Sequence, residues 1–114
     1  MKKLLSLGFI FFLLPLKANA ADEKILLDVR TQEEWNEKHL TDSVIDFKKP
    51  DFKEQLGKLD KSKNYQLFCR SGNRSGQAVT MMKEMGFKKV ESVGSLEDAM
   101  KVTGKPCVGP ACPK

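Results

Sequence analysis

The stretch Phe68-Cys69-Arg70-Ser71-Gly72-Asn73-Arg74-Ser75-Gly76 constrains the fold of this chain more than any other. It follows the apolar run Tyr65-Gln66-Leu67-Phe68, which reads as a short buried strand. It leads into Ala78, Val79, Met82 and Met85, which recur at helical spacing up to Gly86, a natural C-terminal stop. The order is strand, glycine-containing loop, helix, with a cysteine where the strand ends. Successive backbone N–H groups of such a loop can converge on the sulfur, and the positive end of the helix dipole adds to them. Arg70 and Arg74 bring two permanent positive charges nearby. Together these features favour the thiolate, the reactive form of cysteine, and make Cys69 the candidate working residue.

The same alternation of strand and helix signals runs along the rest of the chain. Ile25-Leu26-Leu27-Asp28-Val29 is an apolar run of the kind buried on both faces of a parallel sheet. Thr31, with Glu34 three positions later, forms a capping box for a helix through about Lys38 that buries Trp35. Ser43 to Phe47 reads as a second strand. Pro50 and Asp51 open a short helix in which Phe52, Leu56 and Leu59 share one face. Phe87 to Val93 returns as a strand, and Ser95 with Asp98 opens a last helix. Met81, Met82 and Met85 are read as core filling rather than a metal or partner surface. The fold class expected is α/β, a single domain with a mostly parallel central sheet and helices on both faces. Sites in that architecture lie at the carboxyl ends of strands, where Cys69 falls.

Met1-Lys2-Lys3, the apolar segment Leu4 to Leu16 and the small-x-small motif Ala18-Asn19-Ala20 together read as a secretory signal peptide over residues 1–20. The 13 residues of this segment are too few for the ~20 that cross a bilayer. Neither Ala21 nor Asp22, the residues after the cut, is a cysteine that could carry a lipid anchor. The expected product is soluble and exported to the periplasm, with a domain at residues 21–104 and a tail at 105–114. Removing 20 of the 114 residues leaves 94, enough for one small domain. It also takes Lys2, Lys3 and Lys17, so the net charge falls from +5 to +2. That balance does not argue for nucleic acid or a membrane surface, and it is compatible with small anionic substrates.

Cys69-Arg70-Ser71-Gly72-Asn73-Arg74-Ser75 resembles the active-site loop of rhodanese-type sulfurtransferases, Cys-x-x-Gly-x-Arg-Ser. Upstream, Asp28-Val29-Arg30, Glu34-Trp35 and His39-Leu40 resemble the family's second signature, in the same order and spacing. Size and leader make the chain similar to the small single-domain rhodaneses of the bacterial periplasm. The resemblance implies a persulfide on Cys69, filled by a donor such as thiosulfate or polysulfide and emptied by a thiol or cyanide. It also implies that Arg70, Ser71, Gly72, Asn73, Arg74 and Ser75 bind the substrate. No metal or organic cofactor is implied, and the sequence does not indicate an oligomeric state. Phosphatases of the same scaffold have five residues between cysteine and arginine, whereas only four separate Cys69 from Arg74 here.

Outside the loop, His39 is read as a structural hydrogen-bonding residue and Asp28 with Arg30 as a structural polar pair. Where the family often carries a second glycine and then a tryptophan, this chain has Gly94-Ser95-Leu96 and Ala99-Met100. Cys107 and Cys112 stand in a proline- and glycine-containing tail, and in an exported protein they are expected to form a local disulfide that leaves Cys69 free. The alternative is exchange between the tail cysteines and Cys69, which makes the protein a thiol-disulfide redox or sulfur-relay component. A non-catalytic carrier of sulfane sulfur is the other reading that stays open.

Overall fold

A computed structural model describes residues 23–113. The signal-peptide reading of residues 1–20 therefore lies outside the described residues. Strands β1 (Lys24–Asp28), β2 (Asn64–Cys69) and β3 (Lys89–Ser95) form a parallel sheet in the order β1-β2-β3. Helices α1 (Gln32–Glu37) and α2 (Phe52–Gly57) lie between β1 and β2 in the chain. Helix α3 (Asn73–Glu84) joins β2 to β3, and α4 (Leu96–Thr103) follows β3. Parallel neighbours need such crossovers, because a tight turn can only return the chain antiparallel.

Alternation along the strands separates two apolar layers. Leu27, Leu67 and Cys69 pack with Phe52 and Leu56 of α2 and with Ala78 and Met82 of α3. Leu26 and Phe68 point the other way, to Leu40 and to Leu96 and Ala99 of α4. Burying each large side chain contributes roughly 1.5–3 kcal/mol. Six-residue helices such as α1 and α2 are too short to persist alone, so packing and caps hold them. For α1 the hold is the capping box: Thr31 Oγ1 accepts from the Glu34 N–H, and Glu34 Oε1 accepts from the Thr31 N–H. Helix α3 ends as expected at Gly86, whose φ of 106° lets the Phe87 N–H reach back to the Met82 carbonyl.

Two local expectations are corrected. Ser43 to Phe47 is not a strand of its own. It lies along the end of β1 through one parallel bridge, Asp28 to Val44, and three backbone hydrogen bonds. These run from the Asp28 N–H to Ser43, from the Ile45 N–H to Asp28 and from the Phe47 N–H to Val29, so contact is confined to the last residue of β1 and the one after it. Trp35 is half-buried rather than buried. Its ring stacks on His39 at 3.8 Å, and its Nε1–H donates to the Thr41 carbonyl at 2.8 Å, so the indole covers the α1 exit instead of entering the core. Among the described residues, no helix is long and apolar enough to cross a membrane.

Candidate active site

Cys69 is the last residue of β2 and the free cysteine of the described chain, with its side chain buried. The next residues leave the sheet and turn at Gly72, whose φ of 96° is the left-handed conformation that glycine adopts without strain. A Cβ on Gly72 would also stand 3.4 Å from the Gly94 Cα, so loop and β3 meet backbone to backbone. Helix α3 then starts at Asn73, without a capping side chain from Gly72.

The cysteine sulfur supplies that cap. Sγ accepts from the Gly72 N–H at 2.9 Å and from the Ser75 N–H at 3.4 Å, so it takes up a donor in the first turn of α3 that has no helical partner. The Ser75 hydroxyl lies 3.6 Å from Sγ. Burial opposes a charge on this sulfur, but the Ser75 hydroxyl and the N–H groups of Ser75, Ser71 and Gly72 outweigh it, and the thiol pKa falls below its ordinary value. The arrangement holds an anionic sulfur at the carboxyl end of the central strand. A nucleophile that must be negatively charged to react has its stabilising donors already in place.

The two loop arginines differ. Arg74, expected to draw anionic donors, is held by Glu34 of α1, with Nη1 and Nη2 at 3.0 and 3.2 Å from the two carboxylate oxygens. Arg70 is exposed and lines a cleft of about 380 Å³ with Arg30, Glu34, Lys38, Glu97 and Ala111. Most of these charges are matched: Arg30 binds Asp28, Glu34 binds Arg74, and Lys38 binds Glu97. Of the other loop residues, Ser71 and Asn73 are exposed, and Ser71 Oγ accepts from the Asn73 N–H at 3.5 Å.

Asp28 and Arg30 form a buried pair at the end of β1. Arg30 Nη2 donates to Asp28 Oδ2 at 2.8 Å and to the Lys38 carbonyl at 2.6 Å, tying strand to α1. His39 Nδ1–H donates to the Trp35 carbonyl at 2.9 Å, and the His39 backbone pairs with Val108 in the tail. Cys107 and Cys112 are joined in a disulfide, with Cα atoms 5.9 Å apart. The closed turn docks on α1, where the Ala111 N–H donates to the Glu37 carbonyl at 2.9 Å, and so the tail supplies one wall of the cleft beside Arg70. Glu34 as the partner of Arg74, and Ala111 of the tail as a wall of the cleft beside Arg70, were not apparent from sequence. The capping box marked Glu34 only for a local role.

Comparison with known proteins agrees with this geometry. Residues 14–100 match the rhodanese-like domain. The chain is 33% identical over 99 residues to the thiosulfate sulfurtransferase PspE of Escherichia coli, covering 85% of this chain and 89% of that protein. It is 38% identical over 80 residues to the putative sulfurtransferase YtwF of Bacillus subtilis, covering 70% of this chain and 77% of the relative. A solved structure described as rhodanese with anions from E. coli superposes with a TM-score of 0.62 at 28% identity, over 76% of this chain and 99% of that one. With two signatures brought together around one buried sulfur and a match spanning most of the sequence, the chain belongs to the rhodanese-like family of sulfurtransferases.

Proposed function

We propose that this protein is an exported sulfurtransferase that carries sulfane sulfur on Cys69 from a small anionic donor such as thiosulfate to a thiol or to cyanide. The observation that carries the reading is the Cys69 sulfur, which accepts N–H groups from Gly72 and Ser75 at the end of the central strand. The Cys69 thiolate attacks the outer sulfur of thiosulfate. A sulfur–sulfur bond forms at Cys69 as the donor's own sulfur–sulfur bond breaks, and sulfite leaves with the electron pair. An acceptor thiolate then attacks the outer sulfur of the persulfide, and Cys69 departs as a thiolate. Covalent storage divides one transfer into two displacements. The loop N–H groups stabilise the negative sulfur before and after each.

Arg70 is the loop cation available to an incoming donor, while Arg74 keeps α1 against the loop through Glu34. The similarity to PspE, named for thiosulfate, supports the choice of donor. The sequence of residues 1–20 supports export.

The test is intact-mass measurement of the protein before thiosulfate, after thiosulfate and after subsequent cyanide, with Cys69→Ser in parallel. The expected result is a gain of one sulfur atom that cyanide removes and that Cys69→Ser never shows. Sulfur gained without steady turnover points to a carrier. A Cys69 found joined to Cys107 or Cys112, with no sulfur gained, replaces this reading with thiol-disulfide exchange.

A further inference from the structure

Ser75 has one hydroxyl proton and three acceptors within reach. The Gly72 carbonyl lies at 3.2 Å, the Ser92 hydroxyl at 2.7 Å and the Cys69 sulfur at 3.6 Å. Ser75 is buried at 0% exposure, so no solvent water competes for that proton, and its direction is set by its neighbours.

Ser92 reaches Ser75 because of an irregularity in β3. Leu67 pairs with Ser92, but the next residue of β2, Phe68, pairs with Gly94, which leaves Val93 as an extra residue. A bulge of this kind bends the strand and re-aims side chains near it. Here it leaves Ser92 on the α3 side of the sheet, next to the first turn of the helix, and brings Ser95 beside Cys69. The bulge also turns the Gly94 N–H onto Ser92 Oγ at 3.4 Å. With that lone pair engaged, the Ser92 hydroxyl is biased to donate to Ser75. A Ser75 oxygen that accepts from Ser92 is polarised to donate onward, and each bond in such a chain strengthens the next.

We propose that Ser92 is a positioning residue for Cys69, holding the Ser75 hydroxyl so that its proton points at the sulfur when the sulfur is a thiolate. The chain runs from the Gly94 N–H to Ser92, to Ser75 and to Sγ. In the protonated state the thiol hydrogen points at Ser75 and the two hydroxyls turn the other way. Both states are hydrogen-bonded, and the anionic one gains a donor. Ser92 itself touches no reacting atom. It acts through Ser75.

Charged groups stand on the loop and on the elements around it. Arg70 stands in the loop, Arg74 on α3 and Glu34 on α1. The Asp28–Arg30 pair closes β1, Glu97 and Asp98 open α4, Glu91 lies on β3, and Lys53 and Glu54 are exposed on α2. None of them hydrogen-bonds to Ser75 or Ser92 among the described residues, so removing the Ser92 hydroxyl leaves their arrangement intact. Ser92 is exposed on the outer strand of the sheet, where an alanine or threonine is accommodated without disturbing the core.

The experiment is the pH dependence of Cys69 alkylation by iodoacetamide, read by intact mass on the disulfide-intact protein. The inference rests on Cys69 being the reacting sulfur, but this readout requires no sulfur transfer, so the two readings fail separately. Ser92→Ala should raise the midpoint by roughly half a pH unit to one unit, the effect of one hydrogen bond on an ionisation. Ser92→Thr, which keeps the hydroxyl, should return it to the wild-type position. Ser75→Ala should raise it as well, and Ser92→Ala added to Ser75→Ala should then change nothing further. An unmoved midpoint in Ser92→Ala or in Ser75→Ala overturns the proposal. So does a Ser92→Thr curve displaced like the alanine one, or an undiminished Ser92→Ala effect without Ser75.

Discussion

Glu34 grips Arg74 with both carboxylate oxygens, at 3.0 and 3.2 Å, although the two residues are 40 positions apart in the chain. The same carboxylate accepts the Thr31 N–H, so one side chain closes the α1 cap and holds the helix that follows the Cys69 loop against it. An arginine in the signature loop thereby becomes a structural strut, and the positive charge presented to the cleft comes from Arg70.

Burial disfavours the Glu34 charge, but the hydrogen bonds from Arg74 and Thr31 more than offset it and lower the pKa from 4.5 to about 2. A depressed folded-state pKa stabilises the fold at pH values above the unfolded one, and that contribution is lost as pH falls from 4.5 towards about 2. Glu34→Gln keeps a capping side chain but leaves Arg74 without its anion. It should cost about 1–3 kcal/mol at neutral pH. Urea unfolding near neutrality and at about pH 3 checks this, because the gap between wild type and variant should narrow in acid.

Asp28 and Arg30 are both buried, with side chains 0% and 4% exposed. Asp28→Asn leaves a buried guanidinium without its counter-charge and should cost about 3–5 kcal/mol. In a domain this small, thermal melting should show a fall of at least about 12 °C. A melting temperature within a few degrees of wild type would show that the Lys38 carbonyl alone satisfies Arg30.

The Cys69 sulfur caps α3, so its removal should be felt in stability as well as in chemistry. Cys69→Ala should lose about 1 kcal/mol, the usual cost of an uncapped helix start, while Cys69→Ser, which can still accept from the loop, should lose less. Both should be inactive in sulfur transfer. Equal stability of the alanine and serine forms would mean that the N–H groups find other partners.

Arg70 is exposed and faces the cleft, so its effect on an anionic donor should be on binding. Arg70→Gln should raise the KM for thiosulfate about tenfold with a smaller change in kcat, as expected for loss of one charge-assisted contact. Steady-state kinetics at two salt concentrations adds a second readout, since added salt should weaken wild type more than the variant.

Gly109 lies with a φ of 127° against the end of α1, where a Cβ would fall 2.5 Å from the Glu37 oxygen and 2.8 Å from the Lys38 Cα. Gly109→Ala should loosen the tail without touching the sulfur. Hydrogen exchange at the amides of His39, Val108 and Ala111 should speed up by about tenfold or more, while the Cys69 alkylation profile stays where it is. Unchanged exchange at these amides would mean that the backbone bonds to His39 and Glu37 hold the tail without the close fit of Gly109.

Much of this protein was legible in its sequence because the determining interactions are local. The Thr31 and Ser95 capping boxes, the Gly86 stop and the strand-loop-helix unit around Cys69 all involve residues within a few positions of one another. Their chemistry is written in residue type and spacing. Even the substitution of Ser95 for a family glycine has a local reason, since its hydroxyl accepts from the Asp98 N–H and starts α4. The tertiary structure decided the pairings across distance. Ser43 to Phe47 had the composition of a strand, but β1 ended before it could pair further. Arg74 had the position of a substrate ligand, but the fold set Glu34 against it. Ser92 had no distinguishing mark until a bulge in β3 aimed it at Ser75, and the tail became a wall of the cleft only where it met α1. Residue type and short spacing determine which groups can act. Register and packing, which depend on residues far apart in the chain, determine which partner each one meets.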